Sequence, residues 1–354
     1  MANNWENSNQ VLQAICPTNA LKLDDMNQPS VMVFIPAFRL CDVLSTSDTS
    51  IHPAFRRNGV QKDGFWFGKF ESKMYNGRAY SRPNEDPTVS MNQDQFVAQT
   101  KSKGEGWHEA TNAEWAAIAL WCHKNGCEPY GNNNYGKDAR ETTYKARKTS
   151  DDSGKTGPVT WSHDGTLAGI WDMNGNVWEW VTGLRLVYGE IQIIADNDAA
   201  DNSCDLSASS TAWKAIRASD GALVTPDGNG TTDGTVKMDW ISNKCVYSTT
   251  ITTKADTSRY CSFNGVTCDS TIGAAAKLLL QALAMLPDTA LTGEGIDASY
   301  GGDGFWFNNG AAERCPYRGA VWNYGGGAGV FGVALVNPRS SSSASIGGRS
   351  AYQE

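Results

Sequence analysis

The 354-residue chain has no apolar run long enough to span a bilayer. The longest, Gly273 to Leu286, is too short and carries Lys277 and Gln281. Its first ten residues are polar and lack the basic-then-apolar pattern of a signal peptide, so a soluble product without its own export signal and without membrane insertion is expected. Basic residues are outnumbered: 30 Lys and Arg stand against 38 Asp and Glu, a net charge of −8, which argues against a general affinity for nucleic acid or anionic membrane. The local basic cluster of Arg56, Arg57 and Lys62 reads as solvated surface. A Gly-x-Ser-x-Gly elbow and a P-loop are both absent. Histidine is scarce: His52, His108, His123 and His163 are the full set and form no triplet. Nine cysteines leave at least one thiol without a partner in the chain, and none follows Cys315. Cys122 and Cys127 around His123 give only a weak zinc spacing, and Cys245, Cys261 and Cys268 cluster further on; buried or surface thiols are the expected state.

What is plentiful is glycine and tryptophan, 36 and 13 residues. That pairing does not suit a helical bundle; it suits a loop-rich fold whose short strands are pinned by large aromatic anchors. Val31 to Ile35, ending at Pro36, reads as a strand, and the Gly-Phe-Trp-Phe-Gly-Lys-Phe run within Asp63 to Ser72 reads as a largely buried one. Tyr75 to Gln99 is polar and turn-rich and reads as loop. Thr111 with Glu114 forms a capping box that opens a helix with Trp115, Ile118, Ala119 and Trp121 or Cys122 on its apolar face, closed by Gly126. Tyr130 to Val159, rich in Asn, Gly and Lys, reads as a long surface excursion. From about 185 to 300 the composition turns to Ser, Thr, Asp and Gly, with a strand at Glu190 to Ile194 and a helix at Ile272 to Leu286 stopped by Pro287, so this stretch is taken as an insertion. Gly304-Phe305-Trp306-Phe307 and then Arg318 to Tyr352 return to Gly-aromatic strands. No fixed-period repeat is present.

The most specific signal is the run from Trp171 to Trp180. Asn174-Gly175 makes a tight turn, Val177, Trp178 and Trp180 enter a strand that buries two indoles, and Glu179 between them needs a backbone amide, an Arg or a cation as partner. Asp172 to Trp180 resembles the Asp-Met-x-Gly-Asn-Val-Trp-Glu-Trp hallmark of the formylglycine-generating-enzyme type of C-type-lectin fold. Glu109 to Trp115 resembles that family's Thr-x-Ala-Glu-Trp-Glu helix opening. Arg318-Gly319, Trp322, Arg339 and Ile346-Gly347-Gly348-Arg349 resemble its C-terminal block, with Gly348 where Phe is usual. The matching blocks span about half the chain in the family's order. The resemblance implies an α+β, C-type-lectin-like fold with a large insertion. It also implies a structural calcium that Asn176 and Glu179 would help to hold, although so few residues do not define an oxygen-ligand geometry; no other cofactor is expected.

Within this fold two activities compete. The enzyme branch of the family uses paired cysteine thiolates near its C-terminal block to bind copper, and a single Cys315 upstream does not supply that ligand set; iron-dependent relatives need a His cluster that is also missing. The chain is similar instead to the variable proteins of diversity-generating retroelements. In those systems adenines are replaced during reverse transcription, usually in the first two bases of Asn codons, which yields Ser, Gly, Ala, Val, Tyr or Asp but never Lys, Glu, Gln, Met or Trp. From Gly319 to Gly348 the chain holds none of those five except Trp322, and its only charge is Arg339. The positions expected to vary, and so to bind ligand, are Val321, Asn323, Tyr324, Gly327, Ala334, Val336, Asn337, Ser341, Ser343, Ala344 and Ser345, with Gly326, Gly332 and Gly348 as weaker candidates. The expected fixed scaffold is Trp171, Trp178, Trp180, Arg318, Gly319, Trp322, Arg339, Ile346, Gly347 and Arg349. A plain alternative for Ser340 to Ser345 is a flexible Ser-rich tail, but the returning Ile346-Gly347-Gly348-Arg349 strand argues against it.

The expected organisation is therefore an N-terminal strand-containing segment over 1–60, then a lectin-like domain over 61–354, with an insertion at about 185–300 and a variable region at about 318–352. The expected role is binding rather than catalysis: recognition of a variable protein or a glycan ligand on a host cell surface, by a phage or prophage tail-associated attachment protein or, alternatively, a bacterial surface protein. With Ser, Gly and Ala dominating and one Tyr at the candidate positions, the surface is expected to bind weakly or as an oligomer. A formylglycine-generating-type oxidoreductase and a purely structural tail protein are the alternative readings.

Overall fold

A computed structural model describes residues 4–141, 143, 157–288 and 299–354. The described chain is mostly β, with three large sheets, two small hairpins and five α-helices among the described residues. None of those helices is long and apolar enough to cross a membrane.

The first sheet has the order Asn19–Leu23, Pro29–Pro36, Gly64–Gly68, Ser350–Tyr352, Trp107–Glu109. The late strand Ser350–Tyr352 thus lies between two early ones, paired to both antiparallel. The second sheet is formed by Leu223–Val224, Lys214–Ile216, Glu190–Ile193, Lys237–Ile241, Lys244–Ser248 and Thr267–Cys268, with Leu184–Val187 paired to Glu190–Ile193. The third runs Arg259–Ser262, Gly304–Phe307, Gly329–Asn337, Cys315–Gly319, Trp178–Trp180, Ile346–Gly348. Its first strand comes from the 185–300 stretch, and its other five come from the Trp-rich segments.

The helix Asn112–Asn125 sits at the centre of the core. Thr111 and Glu114 close the expected capping box, and Gly126 ends the helix in the left-handed region at φ +64°. The expectation of a single apolar face is corrected. Ala113, Ala116, Ala117 and Ala119 are buried along with Trp115, Ile118 and Leu120, so small side chains let neighbouring elements approach on nearly every side. The buried Glu114 is satisfied by the His108 ring, the Thr111 N–H and the Asn197 amide.

Three other expectations change. Tyr75 to Gln99 contains a hairpin, Ser72–Tyr75 with Arg78–Ser81, turned by Asn76-Gly77 with both residues at positive φ, and the start of a helix, Gln93–Lys101. That helix opens with an Asn92/Gln95 capping box but buries only Gln93, Phe96 and Thr100, so it has little apolar periodicity to betray it. The helix expected over Ile272 to Leu286 is shorter, Ala274–Ala282, because Ala284 turns left-handed at φ 49°. In Tyr130 to Val159, most of 142–156 lies outside the described residues, and Gly131, Asn132, Asn133 and Asp138 are buried rather than on the surface.

Candidate ligand-binding surface

The third sheet positions the candidate residues. Across its strands one row pairs Tyr260, Trp306, Ala334, Tyr317, Trp180 and Gly348 in register. The alternate row is Cys261, Phe305, Val333, Arg318, Glu179 and Gly347. Directly paired residues share a face, so the two rows are opposite faces of one sheet. Phe305, Val333 and Cys261 belong to the main core, while Trp178, Trp180, Tyr317, Ala334 and Ile346 form a separate aromatic cluster with Trp306, Trp322 and Val336 at its margin.

The core face is fixed by two buried arginines. Arg349 donates from Nε and Nη2 to the two oxygens of Glu179, at 2.8 and 2.6 Å, and also to the Gly68 and Trp171 carbonyls. This is the partner that Glu179 required. Next to it burial pushes the Glu71 carboxyl well above its usual range, and the charges of Glu179 and Asp172 add to that. Glu71 accepts from the Asn176 amide and the Val177 N–H. The calcium role expected for Asn176 and Glu179 falls on side chains that already have protein partners: Glu179 is paired with Arg349, and Asn176 Oδ1 accepts from the Asn132 amide. Among the described residues Arg318 has no carboxylate partner. It donates to Asn112 Oδ1 and to the Leu283 and Ala284 carbonyls, just past the end of the helix Ala274–Ala282, where the helix dipole favours a cation. Burial lowers its pKa to about 9.

Residues 320–328 connect Cys315–Gly319 to Gly329–Asn337 and are held from beneath by buried asparagines. Trp322 N–H donates to the Asn176 carbonyl, Gly325 N–H to the Asn133 carbonyl, and Tyr135 N–H to the Trp322 carbonyl. Asn133 in turn donates to Asp138 and Asn174 and accepts from the Ala139 N–H. The strands here are so close that a Cβ on Gly175 would lie 2.0 Å from the Asn132 carbonyl oxygen, so only glycine fits. The loop backbone is thus fixed by groups outside it, and Asn323, Tyr324 and Gly326 are left exposed at its tip.

The second candidate segment, 338–345, carries the chain from the far end of Gly329–Asn337 back to Ile346–Gly348, which runs parallel to Trp178–Trp180. It is no loose tail. Gln93 N–H donates to the Arg339 carbonyl, Ser90 N–H to the Ser343 carbonyl and Trp178 N–H to the Ser345 carbonyl. Arg339 is half-buried and ion-paired with Glu313 and Asp94 at 2.8 Å each.

The expected variable positions divide accordingly. Asn323, Tyr324, Gly326 and Ala344 are exposed, and Gly327, Val336, Asn337, Ser341, Ser343 and Ser345 are half-buried. Four positions lack exposed side-chain space. Val321 and Ala334 are 4% and 2% exposed inside the aromatic cluster. A Cβ on Gly332 would meet the Gly329 carbonyl at 2.9 Å, and one on Gly348 would meet the Phe96 ring at 2.9 Å, so neither glycine offers side-chain space. Among the expected scaffold residues Trp171, Trp178, Trp180, Arg318 and Arg349 are buried. Trp322 is instead half-buried, its ring edge-on to exposed Tyr135 at 5.0 Å, so it belongs to the rim of the surface.

The sequence reading missed Tyr260 and Tyr135. Tyr260 is 51% exposed and packs on Trp306 at 5.0 Å; Tyr324 packs on Trp306 at 5.0 Å and on Trp178 at 5.6 Å. Its signal was the pairing of two strands more than forty residues apart, which no local pattern announces. Cys315 is buried and its thiol is pushed upward by that burial, away from a reactive thiolate. Cys122 donates to the His163 carbonyl and its thiol neighbours that of Cys127, while His123 pairs with Glu128; no cluster of three or more metal-ligating side chains occurs among the described residues.

No protein-family model matches the chain, and no curated relative matches it either. Among solved structures it is similar to Treponema denticola variable protein 1, at 12% identity and a TM-score of 0.37, over 96% of this chain and 100% of that one. At that score the chain's own geometry has to carry the functional reading.

Proposed function

We propose that the protein is a ligand-binding protein of the diversity-generating-retroelement type, built on a lectin-like scaffold of the formylglycine-generating-enzyme kind, whose loop side chains differ among copies and choose the partner. The observation that carries this reading is the division of labour around 320–328. Backbone hydrogen bonds tie the loop to buried Asn133 and Asn176 and to Tyr135, while the side chains of Asn323 and Tyr324 are exposed at its tip beside Gly326. Such a loop keeps its shape when its side chains change, and stability is thereby separated from specificity. The restricted residue alphabet from Gly319 to Gly348 supports the same reading. The partner is a protein or glycan of a host cell surface, and the place of action is a phage tail or, failing that, a bacterial surface.

A combined substitution at Asn323, Tyr324, Ser341, Ser343 and Ala344 tests this. Its thermal unfolding should stay close to that of the parent while binding of the labelled protein to host cells is lost. Unchanged cell binding would turn the reading toward a purely structural tail protein. A near-copy of the DNA encoding residues 318–352, differing only at adenines and adjacent to a reverse-transcriptase gene, is the genetic counterpart; its absence would remove the diversification claim.

A further inference from the structure

We infer that the ligand site extends beyond the loop onto a fixed aromatic platform formed by Tyr260 and Trp306, against which the variable Tyr324 of this copy packs, and that this platform takes a neutral saccharide. The inference rests on the binding role proposed above and names its ligand chemistry. Tyr260 and Trp306 are paired across neighbouring strands and present their rings on the same face, at a centroid separation of 5.0 Å. Tyr324 stands edge-on to Trp306 and Trp178 and is 43% exposed. Gly304 makes room for the Trp306 indole, since a Cβ there would lie 1.9 Å from the ring.

The surroundings select the ligand class. The row Tyr260, Trp306, Ala334, Tyr317, Trp180 and the whole of 320–328 contain no charged side chain, so a charged sugar or an acidic peptide would be desolvated here without an ion partner. Aromatic rings present an electron-rich face, on which the C–H bonds along one side of a pyranose ring stack. The phenol hydroxyls and the Asn323 amide at the edge offer both donors and acceptors to sugar hydroxyls.

One expected variable position, Gly327, controls access to the platform. A Cβ on Gly327 would stand 3.9 Å from both the Trp306 ring and the Tyr260 hydroxyl, at ordinary contact distance, and Gly327 has no positive φ to forbid a substitution. A larger residue there would lie across the rings. The diversified loop thus sets how much of a constant platform is open, and glycine at 327 leaves this copy open.

The test is an array carrying maltotetraose, cellotetraose, chitotetraose and sialyl-lactose, followed by tryptophan-fluorescence titration with the tetrasaccharide retained. Neutral tetrasaccharide should be retained in preference to sialyl-lactose. Tyr260→Ala and Gly327→Leu should each weaken binding at least about tenfold, the order of loss seen when a stacking ring is removed, and Tyr260→Phe should retain most of it. The proposal is overturned by an array that retains no saccharide, or by Tyr260→Ala binding as well as the parent. It is equally overturned by host-cell attachment that survives periodate but not protease, which would mark a protein receptor. If loop substitutions abolish cell attachment and Tyr260→Ala does not, the platform fails and the proposed function stands; if neither matters, both fail.

Discussion

The two faces of the six-stranded sheet are made from alternate residues of the same strands, and they differ in what change they can bear. On one, Glu179 and Arg349 form a buried bidentate pair, and Arg318 donates to helix-end carbonyls. Each such group is satisfied by a particular set of partners, so replacement of either arginine leaves a buried charge or empty acceptors. On the other face the contacts are between rings and small side chains, which are additive and forgiving until the loop is reached, where Asn323 and Gly326 touch little. Tolerance therefore rises from one side of a single sheet to the other, over a distance of one strand's thickness.

That gradient can be broken at its rigid end first. Arg349→Met should cost about 3–5 kcal/mol in denaturant unfolding, because Glu179 would remain buried without a counter-charge; a loss below about 1 kcal/mol would mean the core face is as permissive as the other. Next in size is a pH effect at Asp303, whose carboxyl accepts the Phe331 N–H where the 320–328 loop rejoins the sheet. Burial raises its pKa from 3.8 to about 7; the Phe331 N–H opposes the rise and the Glu128 charge adds to it. The unfolded chain releases this proton near 3.8 and the folded chain near 7, so the stabilisation is fully present below 3.8 and is lost as pH rises through 7. Asp303→Asn should remove that component, making the stability difference between pH 4 and pH 8 less unfavourable to the alkaline side by roughly 4 kcal/mol. Parallel pH curves for the two proteins would contradict it.

Smaller effects sharpen the comparison between the sheet's interior and the loop tip. Gly348→Leu should lose about 2 kcal/mol by overpacking against Phe96, although retroelement-type diversification would place small residues at such a position. Asn323→Ser and Ala344→Ser should each stay within about 0.5 kcal/mol of the parent in thermal unfolding. Differences of 2 kcal/mol at either would show that these exposed side chains carry stability, contrary to the separation proposed.

The elements legible in the sequence were those with local signatures. Thr111 with Glu114, Gly126, and Trp178-Glu179-Trp180 state their roles within a few residues, and Glu179 declared that it needed a partner before Arg349 could be named. What was hidden depended on pairing at long range. Val321 and Ala334 have the small side chains expected of variable positions, but only the register of Ala334 with Trp306 and Tyr317 shows which face it occupies. Asn132 and Asn133 have the composition of a surface loop, yet both are buried: the Asn133 carbonyl accepts the Gly325 N–H of the 320–328 loop, and the Asn132 carbonyl accepts the Asn176 N–H. Tyr260 lies in a stretch that read as an insertion, and only its pairing with Gly304–Phe307 brings it to the loop.

The position of Ser350–Tyr352 between Gly64–Gly68 and Trp107–Glu109 has a consequence for synthesis. The first sheet stays split in two until the ribosome has passed the loops and delivered this strand. A stop codon or frameshift introduced anywhere in 318–345 removes it and leaves two unpaired strand edges in a molecule that cannot close. A truncated or frameshifted copy is thereby exposed to proteolysis by its own failure to close the first sheet.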